Sequence, residues 1–415
     1  MSRFGPIFLL LLVLLSLATL AGCASSPLST VPVVSATPAG NQTAPQPVPP
    51  PATTPSPSVA PELATKVVVT PLQPSAVAET PADKQKAAVP AEAHIALLLP
   101  LKSPDYSRAA EAVRDGFEAA AAFQPEKNLR VKVYALDNEG DALLAAVKEA
   151  TAAGARCIVG GLTRDGAAAI ASSSAIDAPT LTLNQVERTQ IPAAPFYTLS
   201  LSLDNEARQV ARLIAGQGKR RVAVLTGSSP LSKRIREAFE QEWSSLGGEF
   251  AARVDIGRDA AQYPRLRAAL QGADAIFIAA EAALIRQVRP YIIGGAPTYA
   301  TSQVYDGKSA PGVNVDLQDI RFVDMPWMVE PSHPAVVVYP RSARPLSAVL
   351  DRLYALGIDA YRLANLLATQ VITQMPPLDG VTGRITLSDG HQFQRELSPV
   401  YFDNGQPMPL NPVIQ

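Results

Sequence analysis

The side chains best suited to chemistry in this chain are two cysteines and three histidines. Cys23 closes the run Leu20-Ala21-Gly22-Cys23. Small residues ahead of a cysteine leave the backbone open to a peptidase, and the thiol can accept a diacylglycerol group. Cys157 lies in the apolar run Cys157-Ile158-Val159-Gly160-Gly161 and reads as a small core residue. With Cys23 acylated, Cys157 has no partner left for a disulfide. His94, His333 and His391 are scattered, with no H-x-x-x-H or H-x-x-E spacing to place two ligands on one helix face, so no metal site is expected. There is no G-x-S-x-G elbow, no G-x-x-x-x-G-K-[ST] loop and no convincing S-x-x-K at a strand-to-helix junction. Gly160-Gly161-Leu162-Thr163 lacks the lysine of a phosphate loop, but it falls where a strand ends and a helix begins, and free N–H groups at a helix start attract anions. The chain is read as a non-enzyme without a cofactor, apart from covalent lipid on Cys23.

The run before Cys23 resembles the bacterial lipobox L-A-G-C without a mismatch. Upstream lie a basic residue, Arg3, and an apolar stretch from Ile7 to Leu15. That stretch is shorter than the ~20 residues needed to span a bilayer, so residues 1–22 read as a signal peptide that is removed. Ala24 follows the cysteine, where Asp would mark inner-membrane retention in the enteric pattern. The expected address is the outer membrane, periplasmic face, with the protein held by lipid.

Composition restricts the partners. Lys plus Arg number 36 and Asp plus Glu 37, for a net charge of −1, and no segment collects basic residues. Nucleic acid is excluded, because neutralising phosphates needs clustered Lys and Arg. From Ala24 to Pro90 there are 15 prolines, and no charged residue occurs before Glu62. Such a segment cannot bury enough surface to offset its conformational entropy, so residues 23–93 read as a lipidated cysteine and a disordered tether. A reach of ~200 Å fully extended, or ~45 Å as a flexible coil, follows from its length.

From residue 94 onward, apolar runs and helical periodicity alternate. Strands are expected at Ile95–Leu101, Leu129–Asp137, Cys157–Gly161 and Pro179–Asn184, and helices at Tyr106–Phe123, Asp141–Gly154 and Thr163–Ile176. The rhythm restarts at Asp204, with a helix over Tyr263–Gly272 and a strand over Pro297–Tyr305 among its elements. Two further helices, Ser347–Gly357 and Asp359–Gln374, precede closing hairpins turned at Ser388-Asp389-Gly390 and Asp403-Asn404-Gly405. The rhythm implies an α/β fold of two lobes, each a mostly parallel sheet with helices on both faces. The lobe boundaries read as 94–203 plus 327–380 for the first and 204–326 for the second, with hairpins over 381–415.

Several strings in this order are specific: IALLLPL, AVRDGF, IVGGLTRDG, DIRFVDMPW, RLYALGIDAYRL and GVTGRITLSDG. Together with the lipobox they resemble the LpoA/LppC lipoproteins, over about residues 94–415. The resemblance implies a type I periplasmic-binding-protein-like fold and a role as activator of a class A penicillin-binding protein, a bifunctional peptidoglycan synthase. The best-known members carry a helical-repeat domain between lipid and two-lobed domain, where this chain has the Pro-rich tether. By analogy with amino-acid-binding relatives of the fold, the interlobe cleft candidates are Ser103, Tyr106, Leu162, Thr163, Asn184 and Tyr305. The same residues also read as turn residues and caps with no ligand, and a small-molecule receptor for an amino acid or cell-wall fragment is the alternative function. Trp327 reads as a packed hinge anchor, Asp359 as a helix N-cap, and the charged helix around Lys233, Arg234 and Arg236 as a solvated face.

Overall fold

The computed structural model describes residues 92–410 apart from 124–127, 174–176, 188–194, 258, 309, 311, 371, 373 and 389–390. Cys23, the signal peptide and the tether lie outside the described residues, as do Asp389 and Gly390. In the first lobe, β1 (His94–Leu99), α1 (Ser107–Ala121), β2 (Arg130–Ala135), α2 (Asp141–Ala152), β3 (Ala155–Gly160), α3 (Arg164–Ala171) and β4 (Thr180–Thr182) alternate as the periodicity requires, and a further strand that the periodicity did not place, β5 (Phe196–Leu199), follows β4. The second contains α4 (Leu203–Gly216), β6 (Arg221–Gly227), α5 (Pro230–Ser245), β7 (Glu249–Ile256), α6 (Leu266–Ala269), β8 (Ala275–Ala279), α7 (Ala282–Ile292), β9 (Thr298–Ala300) and β10 (Arg321–Asp324). The chain returns through α8 (Pro326–Val329), α9 (Pro334–Val337) and the long α10 (Ala348–Thr369), then closes with β11 (Leu378–Gly380), β12 (Gly383–Leu387), β13 (Gln392–Glu396), β14 (Ser398–Asp403) and β15 (Gln406–Pro409).

Two sheets result. The first runs β11-β12-β13-β5-β4-β3-β1-β2 and the second β15-β14-β10-β9-β8-β6-β7. Each is parallel through its middle and carries an antiparallel hairpin at one edge. The closing hairpins are therefore shared: β11 to β13 extend the first sheet, and β14 and β15 the second. The chain passes between lobes at three places, before α4, after β10 and at Leu397. Helices cover both faces of both sheets, which is why central strands such as β1 are buried along their whole length. The inner faces of the two lobes share one apolar cluster that includes Phe117, Trp243 and Tyr361.

The tightest packing joins α1 to α10, and it depends on two glycines. A Cβ on Gly116 would sit 1.9 Å from the Tyr354 carbonyl oxygen, and one on Gly357 would sit 2.1 Å from that of Val113. Each helix thus lends the other a position without a side chain. This corrects the reading of two helices broken at Gly357: α10 continues through that glycine, which serves packing and not termination. Asp359 is consequently no N-cap. It lies inside α10 with no exposure, and its carboxylate accepts from the N–H groups of Val381 and Thr382, the Thr382 hydroxyl and Arg362.

Two further expectations are corrected. The helix over Tyr263–Gly272 is a 3-10 turn (Ala260–Arg265) followed by the single turn of α6, because Pro264 lacks the N–H that a longer α-helix would use. The strand over Pro297–Tyr305 pairs only as β9 and then coils into a 3-10 turn at Ser302–Val304. The second hairpin turn forms as expected, with Asn404 and Gly405 both at positive φ, as a two-residue hairpin turn requires. No helix among the described residues is long and apolar enough to cross a membrane.

The glycine contacts predict opposite outcomes for one substitution. Gly357→Ala gains about 1 kcal/mol of helix propensity but must push two backbones apart, at a cost of ~1–3 kcal/mol or more, and urea unfolding should show a net loss of stability. Gly216→Ala, at the end of α4 with open space around it, should stabilise by up to about 1 kcal/mol.

Candidate functional site

Open parallel sheets place ligands beyond the carboxyl ends of their strands, and four of the sequence candidates lie there in the first lobe. Ser103 follows β1, Leu162 and Thr163 follow β3, and Asn184 follows β4, three strands that are adjacent in the sheet. Ser103 is buried, its N–H donating to the Pro100 carbonyl and its own carbonyl accepting from Ser107. Tyr106 precedes α1 at its N-cap position and is 48 % exposed, without a side-chain capping bond. The Asn184 amide donates to the Leu162 carbonyl at 2.8 Å, joining two candidates directly. The Thr163 hydroxyl caps α3 by accepting from Gly166 N–H at 3.0 Å.

The anion expected at this turn is present, but it belongs to the chain. The Leu162 N–H donates to Glu139 Oε1 at 2.8 Å and the Thr163 N–H to Glu139 Oε2 at 2.6 Å. Glu139 comes from the turn between β2 and α2 and is the buried residue in an otherwise exposed stretch. Sequence reasoning missed it. The available signal was a carboxylate just after a strand, at the same edge as a turn rich in free N–H groups.

The sixth candidate, Tyr305, lies in the second lobe. Its ring packs against Phe322 (6.0 Å between centroids) and Phe402 (5.8 Å) inside that lobe's apolar cluster. The structure thus brings Leu162, Thr163 and Asn184 into one hydrogen-bonded group, while the Tyr305 ring joins a core.

The turn that carries Tyr305 is held by charges the sequence did not single out. Arg352, on α10, grips the Asp324 carboxylate at the end of β10 with two parallel bonds, Nε to Oδ1 at 3.1 Å and Nη2 to Oδ2 at 2.5 Å. The same Nη2 also donates to the carbonyls of Ser302 and Tyr305. Glu206, on α4, accepts from the Ser302 N–H at 3.0 Å. Arg395, on β13, is buried and donates to the Ser200 and Thr382 carbonyls, so it ties the crossing before α4 to the turn between β11 and β12. Burial, and then the nearby Asp324 carboxylate, push the Glu206 carboxyl up to about 7, while burial holds the Arg395 guanidinium below its usual range.

Trp327 is packed at the crossover as expected. It is 1 % exposed, its indole N–H donates to Asp351 Oδ1 at 2.7 Å, and the Arg341 guanidinium lies 3.8 Å from its ring centroid. The charges of α5 pair with neighbours: Arg234 with Asp204, Glu240 with Arg253 and Glu242 with Arg212. Cys157 is fully buried, and burial pushes its thiol up, which suits an inert core residue. Among the described residues no group of His, Cys, Asp and Glu could hold a metal ion. A polar groove of about 720 Å³ lies beside the junction, between Arg164 and Glu187 of the first lobe and Arg208, Arg212 and Glu242 of the second.

The family model of LppC lipoproteins matches residues 82–259 and 255–405. Penicillin-binding protein activator LpoA from Edwardsiella piscicida is 28% identical over 331 residues, which cover 68% of this chain and 46% of the relative. The chain spans about half the length of the curated relatives it matches. The LpoA (YraM) C-domain from Haemophilus influenzae, named a regulator of PBP1A, superposes with a TM-score of 0.64 at 22% identity, covering 77% of this chain and all of that domain. A chain from Chromobacterium violaceum, assigned by name to a branched-chain amino acid ABC transporter, has a TM-score of 0.66 at 36% identity over 75% of this chain and all of that one.

The Glu206 carboxyl carries a pH signature. Its native value of about 7 lies above the ordinary 4.5, so the folded state favours the neutral acid. The resulting stability is full below pH ~4.5 and is lost as the pH rises through ~7. Unfolding measured across that window should show this decline, and Glu206→Gln, which keeps an acceptor for Ser302 N–H without ionising, should level that part of the profile.

Proposed function

Because the chain belongs to the LppC lipoprotein family, we propose that it is an outer-membrane-anchored regulator of peptidoglycan synthesis whose two-lobed domain binds and allosterically activates a class A penicillin-binding protein. One observation carries this reading: the match to the LpoA C-domain extends over the whole of a domain named a regulator of PBP1A. The lipid on Cys23 would fix the chain to the membrane, and the Pro-rich segment would supply the reach that lets the domain meet a synthase across the wall. Activation requires the domain to bind the synthase's active state more tightly than its inactive one. The turns facing the interlobe region support a non-enzymatic role, since their polar groups are taken up by Glu139, Glu206 and Arg352.

A second reading, a periplasmic receptor for an amino acid or a cell-wall fragment, rests on the 36% identity to the chain named for an amino acid transporter. The two readings separate in one experiment. Residues 94–415, added to a purified class A penicillin-binding protein from the same cell, should raise crosslinked peptidoglycan formation from lipid II with a saturable dose response. Absence of both a rise and binding would refute the activator reading for this domain.

A further inference from the structure

Strands β10, β9, β8 and β6 run side by side and parallel, so their amino ends share one end of the second sheet. The junction with the first lobe lies at the opposite ends, where Asp324 closes β10 and the turn after β9 meets Arg352. The remote end is cationic. Gly218, just past α4, takes a positive φ of 73°, and the chain turns there into Lys219, Arg220 and Arg221 at the start of β6. Arg321 opens β10, and Arg267 lies on α6. Of these five cations only Arg221 pairs with a carboxylate among the described residues, Glu249 at 3.6 Å. A second carboxylate, Asp274, is taken up by the N–H groups of Arg220 and Arg221 at 2.8 and 3.1 Å. Arg321 donates to Gln217 and Tyr299 instead. Positive charge is thus in excess here, although the net charge of the whole chain is −1.

A cavity of about 510 Å³ opens beside these charges, between the end of α7 and the loop from α6 to β8. Leu270, Ile276, Tyr291 and Ile293 line it, together with Arg267 and Gln271. Arg221 joins the two features, since its Nη1 lies 3.6 Å from where a Cβ on Gly272 would sit, in the same loop. Arg267 Nη2 donates to the Ile293 carbonyl at 3.4 Å, which draws a second cation to the cavity. Gly294 follows Ile293, and nothing lies within 4 Å of a Cβ built on it, so the chain supplies no side chain to cover the cavity there. Ile293 is left 52 % exposed. A lone exposed isoleucine is ordinary on a protein surface. One that lines a concave apolar cavity among unneutralised arginines gives the surface a shape, an apolar area and a charge of one sign.

We propose that this remote end of the second lobe is a docking surface for a partner protein, which presents an acidic segment to the arginines and seats one apolar side chain in the cavity beside Ile293. A flat anionic surface such as a membrane would meet the charges and leave the cavity empty, whereas a protein side chain fills it. Complementary charge speeds encounter, and a desolvated apolar anchor slows release. Docking here leaves the contacts between the lobes untouched. The proposal rests on the activator reading, which makes the partner a class A penicillin-binding protein.

The test measures binding of the chain from residue 24 onward to the purified synthase of the same cell, over a range of sodium chloride. The parent is compared with Arg220→Glu, Arg267→Glu, Ile293→Ser and, as a control for charge alone, Lys148→Glu on α2 of the first lobe. All four side chains are exposed, so the variants should melt close to the parent. Arg220→Glu and Arg267→Glu should each weaken binding about tenfold in low salt, a difference that shrinks as salt rises. Ile293→Ser should weaken it about tenfold at every salt concentration, and Lys148→Glu should bind as the parent does. If the parent binds and every variant binds equally, the docking surface is wrong and the activator reading stands. If the parent does not bind the synthase, both fall. Parent binding to phosphatidylglycerol vesicles that is lost in Arg220→Glu, with synthase binding unchanged, assigns the charges to a membrane and overturns the proposal.

Discussion

The two-lobed arrangement turns on the buried grip of Arg352 on Asp324. Both side chains leave water, at a desolvation cost that a single Coulombic contact repays only when the geometry is good and the remaining donors find acceptors. Here the guanidinium meets the carboxylate through two parallel bonds, and its Nη2 also donates to the carbonyls of Ser302 and Tyr305. Such a pair adds little net stability but strongly penalises any arrangement that separates its members. Because Arg352 stands on the helix that packs on α1 and Asp324 ends a strand of the other lobe, the penalty falls on displacing one lobe's helix from the other lobe's strand ends.

Around that pair, the turns near the junction and the crossing before α4 are fastened by the same device, a buried ionisable side chain satisfying backbone groups. Glu206 holds the Ser302 N–H, Arg395 bridges the Ser200 and Thr382 carbonyls, and Asp359 receives the N–H groups of Val381 and Thr382. Irregular backbone that passes through a protein interior leaves polar groups without ladder partners, and charged side chains are strong donors and acceptors for them. The first lobe repeats the pattern at its own strand ends, where Glu139 meets Leu162 and Thr163. The turns that this fold presents between its lobes are thus largely satisfied from within.

Much of this was legible in the chain. Alternating apolar runs and amphipathic stretches gave two lobes of parallel strands because buried strands must be apolar on both faces and covering helices on one. The strand ends carrying Ser103, Leu162, Thr163 and Asn184 followed from the same periodicity. The errors fall where local signals compete with tertiary contact. Gly357 looked like a helix end and Asp359 like a cap, since both residue types favour those positions, yet the first makes room for the Val113 carbonyl and the second serves a segment more than twenty residues further on.

By itself, then, the sequence determined the alternation of elements, the family and the absence of recognisable catalytic motifs, all properties of spacing along the chain. Tertiary structure decided which polar groups meet. Glu139 and Leu162 are separated by 23 residues, Asp324 and Arg352 by 28, and Glu206 and Ser302 by 96. Nothing in local periodicity records such pairs, because a carboxylate becomes a cap, a hinge tie or an internal ligand only when the fold removes its water and offers it a particular set of N–H groups.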